Sequence, residues 1–192
     1  MILRRLINLI QRKRQKLHLL KSLEKPCFID ETARFVYHHN ISIAKYTRIG
    51  HENHLDGEGG LTIGEGTILA SKVTILTSSH IYKQKDYLPY NADDELLPVN
   101  IGQGVWLGWG AMIRPGVQIG DGAVIAMGAV VAKHVPKGAV VAGNPAKIIG
   151  RRDNEWIDEI VKKQRYYLKA VIEEGLKRTS RKQTVDYGAL LK

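Results

Sequence analysis

The sequence predicts an all-β fold, a parallel β-helix with an α-helix at each end. Within residues 97–136 an aliphatic residue returns at every sixth position: Ile101, Leu107, Ile113, Ile119, Ile125 and Val131. Small or branched apolar residues hold the fourth place after each of these: Val105, Ala111, Val117, Ala123, Ala129 and Val135. An amphipathic helix repeats at three and four and a half-buried strand at two, so a period of six indicates stacked solenoid coils.

The same period extends toward the amino terminus. It runs through Ile43, Ile49 and Leu55, slips by two residues, and resumes at Ile63, Leu69 and Ile75. We therefore place the solenoid at residues 26–150. Between Ile75 and Ile101 the repeat breaks, which predicts an excursion loop over residues 77–98. A loop of this length that leaves a solenoid is more often functional than structural.

The amino-terminal segment, residues 1–25, carries apolar residues at helical spacing with Arg and Lys between them. They are Leu3, Leu6, Ile7, Ile10, Leu17, Leu20 and Leu23. The simpler interpretation is a helix that caps the open end of the solenoid. The alternative is a basic amphipathic helix lying on anionic lipid, which would make the protein peripheral to a membrane. One helix could do both.

The carboxy-terminal segment, residues 151–192, opens with a capping signal at Asp153 or Asn154. Apolar residues follow it at helical spacing: Trp156, Ile160, Val161 and Leu168. This pattern predicts a helix packed on the last coil or on a neighbouring subunit.

Charge and composition restrict the partners. The chain of 192 residues has a formal net charge of +10, concentrated at its ends. Residues 1–25 hold eight Lys or Arg against one acidic residue, residues 26–150 hold ten against eleven, and residues 151–192 hold eleven against seven. A nucleic-acid reader places its basic residues along the surface that follows the phosphates. Because the solenoid is nearly neutral, we expect no nucleic-acid partner.

Cysteine usage and apolar runs favour a cytoplasmic protein. Cys27 is the single cysteine, so no internal disulfide can form. No run of 18 apolar residues occurs, and arginines interrupt the first apolar stretch before a signal-peptide core could form.

These repeats resemble the hexapeptide-repeat acyltransferases. The resemblance covers most of residues 41–151, including the repeat, its interruption and the ending AGNPAKIIGRR. It implies a left-handed parallel β-helix of triangular section, with six residues per side and about five coils. It also implies a homotrimer and acetyl-CoA as the acyl donor.

Within that family the galactoside and maltose O-acetyltransferase branch places its catalytic histidine where the repeat breaks into a loop. A strand with valine, tryptophan and glycine follows that loop. This chain has TSSH ending at His80 and VWLG at residues 105–108. An imidazole titrates near neutral pH and can take the proton of a sugar hydroxyl as its oxygen attacks a thioester. We expect His80 to be the general base; the alternative is a surface histidine on a loop.

The resemblance also implies the residues of the donor site. The main-chain N–H of Trp109 would stabilise the oxyanion. Positions that match the acetyl-CoA groove of the family are Trp106, Trp109, Met127 and Lys133. Lys147 and Arg151 would face the nucleotide phosphates.

On the acceptor side, Asn53 matches an asparagine that binds the acceptor in the same branch, and Asp86 is the second expected contact. A carboxylate should also hold the second imidazole nitrogen of His80. Four candidates remain open: Glu52, Asp56, Asp86 and Asp93.

We therefore expect an acetyl-CoA-dependent O-acetyltransferase that acts on a saccharide hydroxyl, such as that of a cell-surface polysaccharide precursor. One alternative is an N-acetyltransferase on an amino sugar or nucleotide-sugar. Another is a non-catalytic scaffold, against which His80 and Trp106 argue. Zinc enzymes of the γ-carbonic anhydrase type share the prism, but the histidine spacing expected of them is absent here, so we expect no metal.

Overall fold

The computed structural model describes residues 15–83 and 86–179. Three parallel sheets form the three sides of a solenoid, and the chain passes through them in turn. The first sheet consists of β1 (Ser22–Leu23), β4 (Ile41–Ile43), β7 (Leu61–Ile63), β12 (Val99–Ile101) and β15 (Gln118–Ile119). The third sheet consists of β3 (Arg34–Val36), β6 (His54–Asp56), β9 (Thr74–Ile75), β14 (Met112–Ile113) and β17 (Val130–Val131).

The second sheet is the longest. Its strands are β2 (Phe28–Ile29), β5 (Arg48–Ile49), β8 (Ile68–Leu69), β13 (Trp106–Leu107), β16 (Val124–Ile125), β18 (Ala139–Ala142) and β19 (Lys147–Arg151). All pair in parallel except β19, which folds back antiparallel on β18. The described residues thus form five complete coils and the start of a sixth, which confirms the predicted parallel β-helix.

The core is a set of aliphatic columns inside the solenoid. Residues six apart turn into the interior on successive sheets, and residues one coil apart stack on each other, as Ile63 stacks on Ile43 and Ile101 on Ile63. Every aliphatic residue of the predicted six-residue register is buried. Stacked strands lie ~4.8 Å apart, so each side chain buries its neighbour in the next coil, and no coil has a core of its own.

Two buried corner residues show how polar side chains enter this interior. Thr67 accepts the N–H of Val105 and donates to the carbonyl of Gly102. Asn53 donates to the carbonyls of Gly50 and Ala70. Backbone N–H and carbonyl groups that are buried at a corner need hydrogen-bond partners. The side chains of Thr67 and Asn53 supply such partners and thereby join successive coils.

The predicted excursion is an antiparallel hairpin at the corner between the third and first sheets. It contains β10 (Ser78–His80) and β11 (Asp94–Leu96), with His80 directly opposite Asp94. The backbone N–H of Leu97 donates to the carbonyl of Thr77, which closes the base of the hairpin. The chain then re-enters the first sheet at β12.

The predicted amino-terminal helix does not continue through residues 17–23. Residues Leu17–Leu19 form a single 3-10 turn, and β1 pairs with β4, so the solenoid begins before residue 26. Leu17, Leu20 and Leu23 still pack on the core and cover its lower end. Leu3, Leu6, Ile7 and Ile10 lie outside the described residues.

Two helices follow the solenoid, α1 (Asn154–Lys162) and α2 (Tyr167–Glu173). Asp153 caps α1 by accepting the N–H groups of Glu155 and Trp156, as the capping signal predicts. Ile157 of α1 is buried against Gly122.

The start of α2 is held by a buried tyrosine. Tyr166 lies against Gly66 and donates to Gln103 Oε1 at 2.7 Å. Burial, with Glu65 and Asp121 nearby, raises the pKa of Tyr166 to about 12, so its hydroxyl stays a donor. The helices thereby dock along the corner between the first and second sheets.

The three outer faces differ in character. The first sheet presents polar side chains in register: Ser42, Thr62, Asn100 and Gln118. The second sheet lies beside α1 and α2. The third sheet and its two corners expose large apolar side chains: Leu76, Trp109, Met112 and Met127. We call this surface the open face.

Candidate active site

His80 and Asp94 form a hydrogen-bonded pair at the base of the excursion. His80 Nδ1 lies 2.5 Å from Asp94 Oδ1, and the two residues are partners in the β10–β11 ladder. The imidazole is 54% exposed and the carboxylate 37%. A carboxylate at Nδ1 favours the tautomer with its proton there, which leaves the Nε2 lone pair available.

None of the four predicted carboxylates makes this contact. Glu52 lies 3.6 Å from Lys72 Nζ, and Asp56 accepts the N–H of Glu58. Asp86 accepts from Asn91. Those assignments are wrong because the strand register brings Asp94, and not its neighbour Asp93, opposite His80.

A cleft of about 370 Å³ opens beside His80. Its walls come from the excursion and the adjoining third-to-first corner, and they include Lys83, Glu95, Arg114 and Pro115. The cleft therefore offers charges of both signs within reach of the imidazole.

The same third-to-first corner is acidic in the preceding coils. Glu58 lies beside the Tyr37 hydroxyl and, with smaller contributions from Asp56 and Asp94, raises the pKa of Tyr37. Carboxylates and a neutral phenol can exchange hydrogen bonds with uncharged hydroxyl groups.

Trp109 lies at a different corner, between the second and third sheets. Its indole is 55% exposed, and Lys72 Nζ is 5.6 Å from the ring centroid. Its carbonyl accepts from Gly128, but its N–H has no acceptor among the residues that the structure describes. The backbone donor that an oxyanion requires is therefore free, but one whole side of the prism separates it from His80.

The predicted donor-groove residues do not converge within one chain. Met127 follows Trp109 in the next coil of the same corner. Trp106 projects from the second sheet into a cavity of about 280 Å³ that Arg152 and Trp156 also line.

The three predicted basic residues occupy two further places. Lys133 lies at the third-to-first corner, near Pro115. Lys147 and Arg151 are exposed on β19. The predicted groove positions therefore lie on more than one surface of the chain.

The assignment of Asn53 to acceptor binding is wrong. Its side chain is fully buried, its amide nitrogen donates to two carbonyls, and its oxygen accepts the N–H of Val73 at 2.8 Å. Both amide donors and the amide oxygen are thus engaged inside the solenoid. Asp86 is exposed on the excursion, where an acceptor could reach it.

Sequence reasoning missed Tyr90. Its ring stacks on the His80 imidazole with the centroids 3.8 Å apart and the planes 9° from parallel. The only signal in the sequence was the density of tyrosines in the excursion, at positions 82, 87 and 90.

No three His, Cys, Asp or Glu side chains converge as a metal-ligand set in the described part of the chain. Over residues 15–83 and 86–179, no helix has the length and apolarity needed to cross a membrane.

Comparison with known proteins supplies the family. A family model described as bacterial transferase hexapeptide (six repeats) matches residues 98–133. A maltose O-acetyltransferase from Clostridium difficile 630 is 30% identical, with a TM-score of 0.62, over 75% of this chain and 73% of that chain. A hexapeptide-repeat acetyltransferase from Vibrio cholerae O1 biovar eltor, solved with acetyl coenzyme A, is 29% identical, with a TM-score of 0.65, over 74% of this chain and 75% of that chain.

Among curated proteins, nodulation protein L of Rhizobium meliloti (strain 1021) is 44% identical over 115 residues. That match covers 59% of this chain and 61% of the relative, less than two thirds of its length. Sequence identity, repeat and fold agree across these comparisons, and the chain belongs to the hexapeptide-repeat acyltransferase family.

Proposed function

We propose that the protein is an acetyl-CoA-dependent O-acetyltransferase that acts on a saccharide hydroxyl with His80 as general base. The observation that carries the proposal is the His80–Asp94 pair, at the point where the repeat breaks. A solenoid that served only as a scaffold needs neither residue to stack its coils. The similarity to a maltose O-acetyltransferase supports a sugar hydroxyl as the acceptor.

The chemistry follows from the geometry of the imidazole. Asp94 accepts the Nδ1 proton, so Nε2 can take the hydroxyl proton while the acceptor oxygen forms its bond to the acyl carbon. The resulting imidazolium then gives that proton to the departing sulfur. General base catalysis of this kind contributes roughly 10²- to 10⁴-fold. Bound acetyl-CoA would supply the thioester carbonyl and the thiolate leaving group.

The residues present fit such a donor. The free N–H of Trp109 can donate to the developing oxyanion, a contact typically worth about 10²- to 10³-fold. Exposed apolar side chains at Trp109 and Met127 suit a pantetheine arm. Lys147 and Arg151 are exposed cations near the top of the same prism and could contact phosphates.

We propose that the active enzyme is a homotrimer with left-handed prisms and sites shared between chains. His80 and Trp109 lie at opposite ends of the third sheet, about five residues or roughly 16 Å apart along one side. If the open face turns toward a threefold axis, the His80 corner of one chain meets the Trp109 corner of the next. The apolar side chains of the open face would then be covered.

The acidic corner beside His80 supports an uncharged acceptor. Carboxylates at Glu58 and Asp94 would repel an anionic sugar, whereas they accept hydrogen bonds from hydroxyls. Asp86 on the excursion is the further acceptor contact that we propose. A precursor of a cell-surface polysaccharide is one such substrate, and its synthesis would place the protein in the cytoplasm.

The test is direct. Purified full-length protein is incubated with acetyl-CoA and a panel of acceptors that includes maltose, methyl β-galactoside and glucosamine, and release of free coenzyme A is measured. The product is identified by mass spectrometry, and mild alkali removes an acetyl ester but not an acetyl amide.

His39→Ala is the matched control for His80→Ala, since His39 is an exposed histidine outside the excursion and contacts neither His80 nor Asp94 in any hydrogen bond or ring stack found among the described residues. Transfer that survives in the His39 variant and is lost in the His80 variant supports the proposal. An alkali-stable product would favour the N-acetyltransferase, and no acetylated product with any acceptor would favour the scaffold.

A further inference from the structure

The His80 imidazole is held on two sides. Asp94 contacts Nδ1 in the plane of the ring, and Tyr90 covers one ring face at a centroid separation of 3.8 Å. Both partners belong to the excursion. Nε2 has no hydrogen-bond partner among the described residues.

One hydrogen bond alone leaves such a ring mobile. His80 ends a short strand and is half-exposed, so neighbouring side chains restrict its rotamers little. A bond at Nδ1 fixes one point of the ring, and the plane can still tilt about that contact. A flat aromatic surface parallel to the imidazole removes this freedom, because stacked rings lose contact when either one tilts.

We propose that Tyr90 is a positioning residue that sets the plane of the His80 imidazole and so aims Nε2 at the acceptor hydroxyl; the inference rests on the proposed acetyl transfer. A displacement of about 1 Å in a reacting group can cost on the order of 10²-fold in rate. Tyr90 thus acts through His80 and touches neither substrate.

The aromatic ring of Tyr90, and not its hydroxyl, orients the imidazole. None of the hydrogen bonds found among the described residues uses the Tyr90 hydroxyl. Phenylalanine should therefore replace tyrosine here, whereas alanine should not.

The experiment compares Tyr90→Phe and Tyr90→Ala in the full-length protein, with maltose and methyl β-galactoside as acceptor probes. Tyr90→Phe should keep kcat within about threefold, and Tyr90→Ala should lower kcat about 5- to 10-fold with both KM values nearly unchanged. Tyr87→Ala is the matched control, because Tyr87 is an exposed tyrosine of the same excursion with no ring partner in the described structure. A raised acceptor KM with kcat intact in Tyr90→Ala would overturn the proposal and assign Tyr90 to acceptor binding.

A double-mutant cycle separates positioning from an independent effect. If Tyr90 acts only through the imidazole, Tyr90→Ala should cause no further loss in a His80→Ala background. The same 5- to 10-fold loss in both backgrounds contradicts the proposal.

A second readout needs no activity. The ring current of Tyr90 should shift the carbon-bound imidazole protons of His80 in NMR spectra, with assignment by His80→Ala. That shift should persist in Tyr90→Phe and vanish in Tyr90→Ala; an unchanged shift in Tyr90→Ala overturns the stacking. If the wild-type protein acetylates no acceptor, the proposed function fails, and these spectra still decide whether Tyr90 orders the imidazole.

Discussion

His80 and Asp94 stand directly opposite each other in an antiparallel ladder, with imidazole Nδ1 2.5 Å from the carboxylate. The hairpin thus holds the proposed base, His80, and the carboxylate that orients it, Asp94, in one pair. Its strands have only three residues each, so the pairing depends on the closure at Thr77 and Leu97.

Replacing the Asp94 carboxylate tests the role of the His80–Asp94 pair. Asp94→Asn should lower kcat about 10- to 100-fold with KM values nearly unchanged, because an amide can also present its N–H₂ to Nδ1 and so favour the wrong tautomer. Asp93→Asn is the matched control, one residue away, and should keep near-wild-type kcat. Equal losses in both variants would show that the charge of the hairpin matters and not the pairing.

Removing the imidazole should have the largest effect on turnover. His80→Ala should lower kcat roughly 10²- to 10⁴-fold while melting temperature and acetyl-CoA affinity stay nearly constant, since the excursion contributes nothing to the aliphatic columns. Steady-state kinetics with a competent acceptor check this expectation, and near-wild-type turnover in the variant would falsify the assignment of His80 as base.

The proposed homotrimer would cover the open face. Light scattering at micromolar concentration should give three times the chain mass, and Met112→Glu should shift the mass toward a monomer, because it buries a charge in the proposed interface. Thr62→Glu, on the polar first sheet, should leave the mass unchanged. A wild-type monomer would contradict the shared-site proposal.

Trp106 distinguishes donor binding from helix docking. If its indole lines the donor groove, Trp106→Ala should raise the KM for acetyl-CoA about 10-fold with kcat nearly intact. Trp156→Ala removes an indole from the opposite wall of the same cavity and controls for lost packing. An unchanged donor KM with a lower melting temperature would assign Trp106 to docking of α1 alone.

The solenoid was predictable because each interior residue repeats at a fixed interval, so the period survives without any knowledge of pairing. The hydrogen-bond partner of His80 was not predictable from the sequence. The register of a hairpin depends on the path of its loop, and the sequence places Asp93 and Asp94 side by side. The spacing of Leu17, Leu20 and Leu23 misled for another reason: a step of three also suits a chain that wraps the base of a prism.

Asn53 shows a further limit of sequence patterns. The family resemblance implied acceptor binding for Asn53, yet its side chain joins buried corners of successive coils. Sequence alone cannot tell whether a polar residue at a corner points inward to unpaired backbone or outward to a ligand.

The docking of α2 rests on a glycine. Gly66 has φ +70°, and a Cβ there would overlap the ring of Tyr166, which anchors the start of the helix. Gly66→Ala should therefore lower the melting temperature by both backbone strain and a clash, and should expose the chain after Tyr166 to protease. Gly110→Ala isolates the strain, because Gly110 has φ +67° but nothing within 4 Å of its added Cβ. We expect Gly110→Ala to cost about 1–2 kcal/mol and Gly66→Ala clearly more; equal losses, measured by thermal unfolding, would show that Tyr166 gives way without cost.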